Sequence, residues 1–199
     1  NQIYMSAVSN QGEMYDVKKT PIVTMYNEYF GGGMNSIVFQ EMREARGLAY
    51  SASARMIEPW RTEDPGYYWT YIATQNDKMQ TAIEAFDEII NDMPESETAF
   101  SIAKESLTTQ YRTERITGRS ILRSYMTDRE MGINESRSKK IYENLSQLTL
   151  EDIKNTQKKW VEGRTYSYGI LGDIESIDTK YLKTLGPVEI LTLEDIFGY

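Results

Sequence analysis

Apolar and polar side chains alternate from the start of the chain. Ile3, Met5 and Ala7 fall on one side and Tyr4, Ser6 and Val8 on the other. A period of two marks a strand with one buried face, and Asn10-Gln11-Gly12 closes it. Thr20-Pro21 reads as a helix start, with Thr as N-cap and Pro at the first helical position. Ile22, Val23, Tyr26, Tyr29 and Phe30 then follow helical spacing up to Gly31-Gly32-Gly33. Ile37, Val38, Phe39 and Met42 predict a second short helix, ended by Arg46-Gly47. Alternation returns in Leu48, Tyr50, Ala52, Ala54 and Met56, which form the apolar face of a strand. A polar loop with Pro59 and Asp64-Pro65-Gly66 leads to another strand, Tyr67–Gln75, predicted to pair antiparallel with it.

From residue 78 the period becomes 3.6. Met79, Ala82, Ile83, Phe86, Ile89, Ile90 and Met93 form one stripe, which Pro94 ends. Phe100, Ala103, Leu107 and Tyr111 line the next helix, and weaker helical patterns follow at 118–132 and 136–147. Thr149 caps a helix over 150–162, stopped by Gly163. Arg164–Leu171 reads as a strand, Ile174–Leu185 as a helix and Val188–Leu191 as a last short strand. Leu-Thr-Leu-Glu-Asp-Ile occurs at 148–153 and again at 191–196; both copies read as one N-cap signal, Thr149 with Asp152 and Thr192 with Asp195. No linker interrupts the pattern. Residues 1–199 are expected to form one α+β domain, a mixed, largely antiparallel sheet covered by helices.

Composition narrows the chemistry. Net charge is −8, so binding to a phosphate backbone would need a local basic patch. Lys158, Lys159 and Arg164, with Arg112, Arg115, Arg119 and Arg123, alternate with acids as a solvated helix face does. No nucleic-acid partner is expected. No run approaches the roughly 18 apolar residues of a membrane span. The first residue is Asn, which suggests a processed product or an excised domain. A soluble protein of bacterial-type cytoplasm or periplasm is the expected setting. The 15 tyrosines cluster at Tyr67, Tyr68, Tyr71 and at Tyr166, Tyr168. Tyr67, Trp69 and Tyr71 could offer amphipathic contact area to a ligand, although strand propensity explains them as well.

The chain has no histidine and no cysteine. That rules out disulfides and any Ser–His or Cys–His pair, and leaves only carboxylates and carbonyls for a metal, a set that suits Ca²⁺ or Mg²⁺ better than zinc. The neighbours Glu41/Glu44 and Asp87/Glu88 read as surface. The glycine triplet follows a helix and lacks a Gly-Lys-Ser/Thr continuation, so it is no phosphate loop. Arg43 and Tyr50 flank the Arg46-Gly47 turn, and reversal there could bring guanidinium and phenol together as two donors aimed at a carbonyl oxygen. An ordinary helix–turn–strand corner, with Arg43 meeting nearby acids or carbonyls, is the alternative.

One run is more specific. Phe30–Tyr50 contains Gly-Gly-Gly-Met-Asn-Ser, Phe39-Gln40-Glu41, Arg43-Glu44 and Arg46-Gly47-Leu48-Ala49-Tyr50. It closely resembles the pitrilysin/insulinase-type (M16) zinc metallopeptidases and their non-catalytic relatives. The Tyr-rich strand and the late Tyr166–Asp173 segment are consistent with that family. Its metal-bearing domain carries His-x-x-Glu-His, absent here, so the resemblance is to the metal-free, inactive domain. The resemblance implies that homologous domains close around a peptide. Zinc would sit on a partner domain of the same polypeptide or another chain, and Arg43 and Tyr50 would hydrogen-bond the scissile carbonyl opposite it. Ile37 stands where relatives often have Arg. Relatives that have lost catalysis make a peptide-binding or assembly scaffold the competing expectation, and a self-sufficient carboxylate enzyme the remaining one.

Overall fold

The computed structural model describes residues 2–115 and 117–198, without the side chain of Arg119 from the basic patch considered above. Four strands, β1 (Gln2–Ser9), β2 (Ser51–Ile57), β3 (Tyr67–Gln75) and β4 (Ser167–Leu171), form one antiparallel sheet in the order β2-β3-β1-β4. The sheet is antiparallel at every junction, so the fold is α+β. Ile3, Met5 and Ala7 of β1 face the helices, with Thr70 and Ile72 of β3 and Ala52 and Ala54 of β2, all buried.

Helix α1 (Thr20–Phe30) occupies the centre of the core. It packs on β2 and on α4 (Glu97–Thr113), α6 (Arg137–Leu145) and α7 (Leu150–Trp160), while α3 (Met79–Asn91) covers β3. Tyr26 stacks on Phe30, with ring centroids 5.4 Å apart, and meets the Tyr68 ring edge-on. Burying phenols is costly unless their hydroxyls are satisfied. Here Tyr68 Oη donates to Tyr26 Oη (3.0 Å), Tyr26 donates to Gln157 Oε1, and the Gln157 amide donates to the Ile90 carbonyl. One polar chain thus ties α1, β3, α7 and α3. Burial pushes the Tyr26 and Tyr68 hydroxyls well above the usual tyrosine range, so both stay neutral donors.

The end of α1 presses on β2. A Cβ on Gly31 would lie 2.1 Å from the Ala54 carbonyl oxygen, so only glycine fits between helix and strand. Four residues earlier, the Asn27 amide donates to Met56 O (2.9 Å) and accepts from Met56 N (2.8 Å). Asn27 therefore stands in for a neighbouring strand along that part of the β2 edge.

Several expectations shift. Thr20 does not cap α1: Lys19 holds the N-cap position, and the Thr20 hydroxyl donates to Glu58 Oε1 instead (2.8 Å). Glu58 is a half-buried carboxylate paired with Arg137, and it takes a nearby donor in preference to leaving an oxygen bare. Residues 188–191 form no strand; nothing among the described residues pairs with them. The predicted 174–185 helix divides into a 3₁₀ turn at Ile174–Ser176 and α8 (Thr179–Leu185). Both capping boxes form, at α7 and at α9 (Leu193–Phe197). No described helix is long and apolar enough to cross a membrane.

The two boxes should differ in worth. Thr149→Ala is expected to lower unfolding stability by about 1 kcal/mol, because α7 buries Leu150 and Ile153 in the core. Thr192→Ala should leave the thermal midpoint in place, because α9 buries no residue. Melts of the two variants side by side check this.

Candidate functional site

The segment after the glycines begins as α2 (Ile37–Phe39), capped by the Ser36 hydroxyl, and widens into a π-helix over Gln40–Ala45. Such widened turns are uncommon and often sit at functional places. Met42, fully buried, anchors it to the core, and the Leu48 and Ala49 amides both donate to the Met42 carbonyl. The chain is therefore still turning through residue 49, and Gly47 takes a left-handed φ of 57°. Ile37 is buried as well, so the arginine expected there from relatives would have no water to face.

Four tethers hold the turn. Arg46 grips the Glu88 carboxylate of α3 with both terminal nitrogens, at 2.9 and 3.2 Å, and lies 3.6 Å from Glu41. Lys78 Nζ donates to the Gly47 carbonyl (3.0 Å) and the Thr74 hydroxyl to that of Leu48. Tyr50 N donates to Ala73 O (2.8 Å), aligning the chain with β3 one residue before β2 begins. Its side chain leaves the apolar face predicted for it and is 71% exposed. The alternation fails at 48–50 because those residues complete a turn and only then enter a strand.

On this fixed corner Arg43 and Tyr50 come together. The guanidinium carbon lies 5.6 Å from the centre of the Tyr50 ring and 5.0 Å from that of Phe39. Arg43 Nε is 3.5 Å from Glu44, at a largely exposed position where such a pair holds weakly. Two donors are thus presented side by side to solvent, loosely enough held to exchange their contacts for a ligand oxygen.

Tyr67, Trp69 and Tyr71 lie on the face of β3 that the helices leave open. The Trp69 and Tyr71 rings stack at 6.0 Å, and the indole N–H donates to Ser6 Oγ (2.7 Å). Tyr71 pairs with Ser53, three residues along β2 from Tyr50. Tyr67 sits farther away, on the rim of a cleft of about 540 Å³ lined by Met14, Lys19, Val23, Met56 and Trp160. Both β1 and β3 are interior strands. Their backbone groups are engaged, so they can offer a ligand only side chains.

The turn's anchor has a measurable sign. The Arg46 side chain holds the Glu88 carboxyl below the usual glutamate range. A depressed carboxylate adds stability above its ordinary pKa and loses it as pH falls through the lowered value. Arg46→Met is expected to return Glu88 to the ordinary glutamate range in a ¹³C NMR titration; an unmoved Glu88 would detach Arg46 from the turn. The π-helix, the tethers from Lys78 and Thr74 and the Arg46–Glu88 pair all escape sequence reasoning. No periodicity encodes contacts between residues 26 to 42 positions apart.

The residues do not suit zinc. The chain lacks His and Cys, and no group of three or more possible metal ligands occurs among the described residues.

The fold is that of a peptidase-type α+β domain. Solved structures that share it include the peptidase M16 inactive domain from Pseudomonas fluorescens, 16% identical with a TM-score of 0.66, covering 85% of this chain and 40% of that one. A protease from Helicobacter pylori, 10% identical at a TM-score of 0.69, covers 86% of this chain and 41% of its own. Complex III2 from Candida albicans, with Inz-5 bound, is 14% identical with a TM-score of 0.63, covering 94% and 47%. The chain thus spans less than half the length of each. No curated protein matches the sequence. The family model of the peptidase M16 inactive domain matches residues 5–107, just over half of the sequence, and the chain belongs to that family.

Proposed function

We propose that residues 1–199 form the metal-free domain of a zinc metalloendopeptidase. It closes over a peptide and offers Arg43 and Tyr50 to the scissile carbonyl. The reading rests on one observation: an exposed arginine and an exposed tyrosine lie together on a corner whose backbone four tethers hold. Donors fixed before the reaction need not reorganise as negative charge builds on an oxygen, and that is what lowers a barrier. Attack on the carbonyl is the work of a zinc-bearing His-x-x-Glu-His domain, of the same polypeptide or a partner chain. Trp69 and Tyr71 would flank the peptide through side chains. The test is cleavage of a fluorogenic peptide by this chain alone, by the zinc-bearing counterpart alone and by both. Cleavage only in the mixture supports the proposal, and equal cleavage by the counterpart alone removes this chain from the reaction.

A second reading is a peptide-binding or assembly subunit without catalysis. It draws on the likeness of fold to a chain of complex III2 from Candida albicans. A folded, zinc-loaded mixture that binds peptide and never cleaves it would favour this reading.

A further inference from the structure

Two loops close a cleft at the end of the β2–β3 ladder farthest from Tyr50, where Ile57 pairs with Tyr67. Residues 10–19 run between β1 and α1, and residues 58–66 between β2 and β3. An isolated bridge joins Met14 to Pro65, and Gly66 N donates to Glu13 O (2.6 Å), so the loops are fastened to each other. The cleft, of about 540 Å³, falls within the ~300–1,000 Å³ of small-molecule sites. Met14, Val23, Met56, Tyr68 and Trp160 give it apolar walls. Neither α5 (Arg119–Glu130) nor the Arg43–Tyr50 corner lines it.

Its charged groups divide into those already committed and those still free. Glu13 has a donor on each oxygen, Arg164 on Oε1 and the Gln11 amide on Oε2 (3.1 Å). Glu58 likewise accepts from Thr20 on Oε1 and from Arg137 on Oε2. Arg164 gives its other nitrogens to the Trp160 and Ser9 carbonyls. Two groups remain, of opposite sign. Lys19 Nζ stands 4.9 Å from the centre of the Trp160 ring, and no carboxylate pairs with it among the described residues. Asp16 accepts the Lys18 amide on Oδ1 (2.9 Å) and pairs with no cation among those residues. Both are half-buried, and the bond from Lys19 N to Asp16 O (2.8 Å) keeps them on one turn.

A cation and an anion that share a turn without pairing, beside apolar walls, complement a ligand that carries both charges and an apolar body. A simple carboxylate would meet Lys19 and be repelled by Asp16, and a simple amine the reverse. A plain hydrocarbon would desolvate both charges and satisfy neither. We infer that the cleft binds a zwitterion with a large apolar side chain, an apolar α-amino acid or a short peptide. Its carboxylate lies at Lys19, its ammonium at Asp16, and its side chain among Met14, Met56 and Trp160. The apolar contacts supply the affinity, and the two charge-assisted bonds supply orientation. Because the loops are fastened, the cleft exists before the ligand arrives and little ordering is needed to bind it. None of this depends on the peptidase reading.

The test is isothermal titration of residues 1–199 with L-phenylalanine and with glycyl-L-phenylalanine, alongside amide NMR spectra that locate the contact. The expected result is saturable binding of at least one probe, with shifts at Asp16, Lys19 and the Trp160 indole. The tighter of the two assigns the cleft to free amino acids or to peptides. L-phenylalaninamide lacks the carboxylate and N-acetyl-L-phenylalanine the ammonium, and each should bind about tenfold more weakly or worse. Glycine, without the apolar side chain, should not bind. Lys19→Gln should weaken phenylalanine by a similar factor and leave phenylalaninamide where it was. Asp16→Asn keeps an acceptor for the Lys18 amide, and it should weaken phenylalanine and spare the N-acetyl compound. Losses matched in this way to one ligand group cannot come from a general loss of structure. No binding of either probe at millimolar concentration overturns the inference. So does a native chain that holds the amide and the N-acetyl compound as tightly as phenylalanine, or a set of shifts confined to residues outside the cleft.

Discussion

Arg43→Ala is expected to lower the kcat of reconstituted peptide cleavage by about 10²–10³-fold, the usual cost of one donor to a developing oxyanion. KM should change far less, because a donor whose bond strengthens only as charge develops contributes little to ground-state binding. Tyr50→Phe keeps the ring under the guanidinium and removes only the hydroxyl, so a comparable fall would assign the effect to the phenol's proton. Arg43→Lys keeps the charge without the planar fork and should recover only part of the loss. Both side chains are exposed, and Arg43 lies over the Phe39 and Tyr50 rings and makes a weak ion pair with Glu44. Thermal midpoints should therefore stay put, within the ~0.5 kcal/mol typical of surface changes. That contrast separates a role in the reaction from a role in the fold. Variants that cleave as fast as the native chain would strip both residues of the role proposed here.

Gly31→Ala is expected to be the most damaging single-methyl addition in the chain, at about 3–5 kcal/mol or outright failure to fold. The added carbon would stand 2.1 Å from the oxygen, 2.5 Å from the nitrogen and 2.8 Å from the carbonyl carbon of Ala54. All three are backbone atoms of a paired strand, so no side chain can swing aside. Relief requires α1 to lift from β2. That would break the Asn27–Met56 pair of hydrogen bonds and open the packing around Tyr26 and Phe30. Gly33→Ala, two positions on, meets nothing within 4 Å and should be almost silent. Chemical denaturation of the two variants gives the comparison, and equal midpoints would mean the α1–β2 contact is looser than described.

Most of the α+β architecture was legible because each element carries its own period. β1, β3, α3 and both capping boxes stand where alternation, the 3.6-residue stripe and Thr-x-x-Asp place them. Strand order was not legible: a buried face reveals that a strand pairs, and not with which neighbour, so the interior position of β1 and β3 emerges only in three dimensions. The 188–191 segment failed for a related reason, since strand composition has no meaning until an edge is there to receive it. At the candidate site, the proximity of Arg43 and Tyr50 follows from a turn that Arg46-Gly47 announces. Its rigidity does not, because the tethers reach from Thr74, Lys78 and Glu88.

The Asn27 amide that occupies Met56 and the glycine wedged at Ala54 have an architectural consequence. At those residues α1 closes off the β2 border of the sheet, while at the far border nothing described pairs with β4. As a building block the sheet is one-sided. A neighbour that continues it in a larger assembly meets least obstruction at β4, on the side opposite the Arg43–Tyr50 corner, so growth of the sheet and occupancy of the corner do not compete for space.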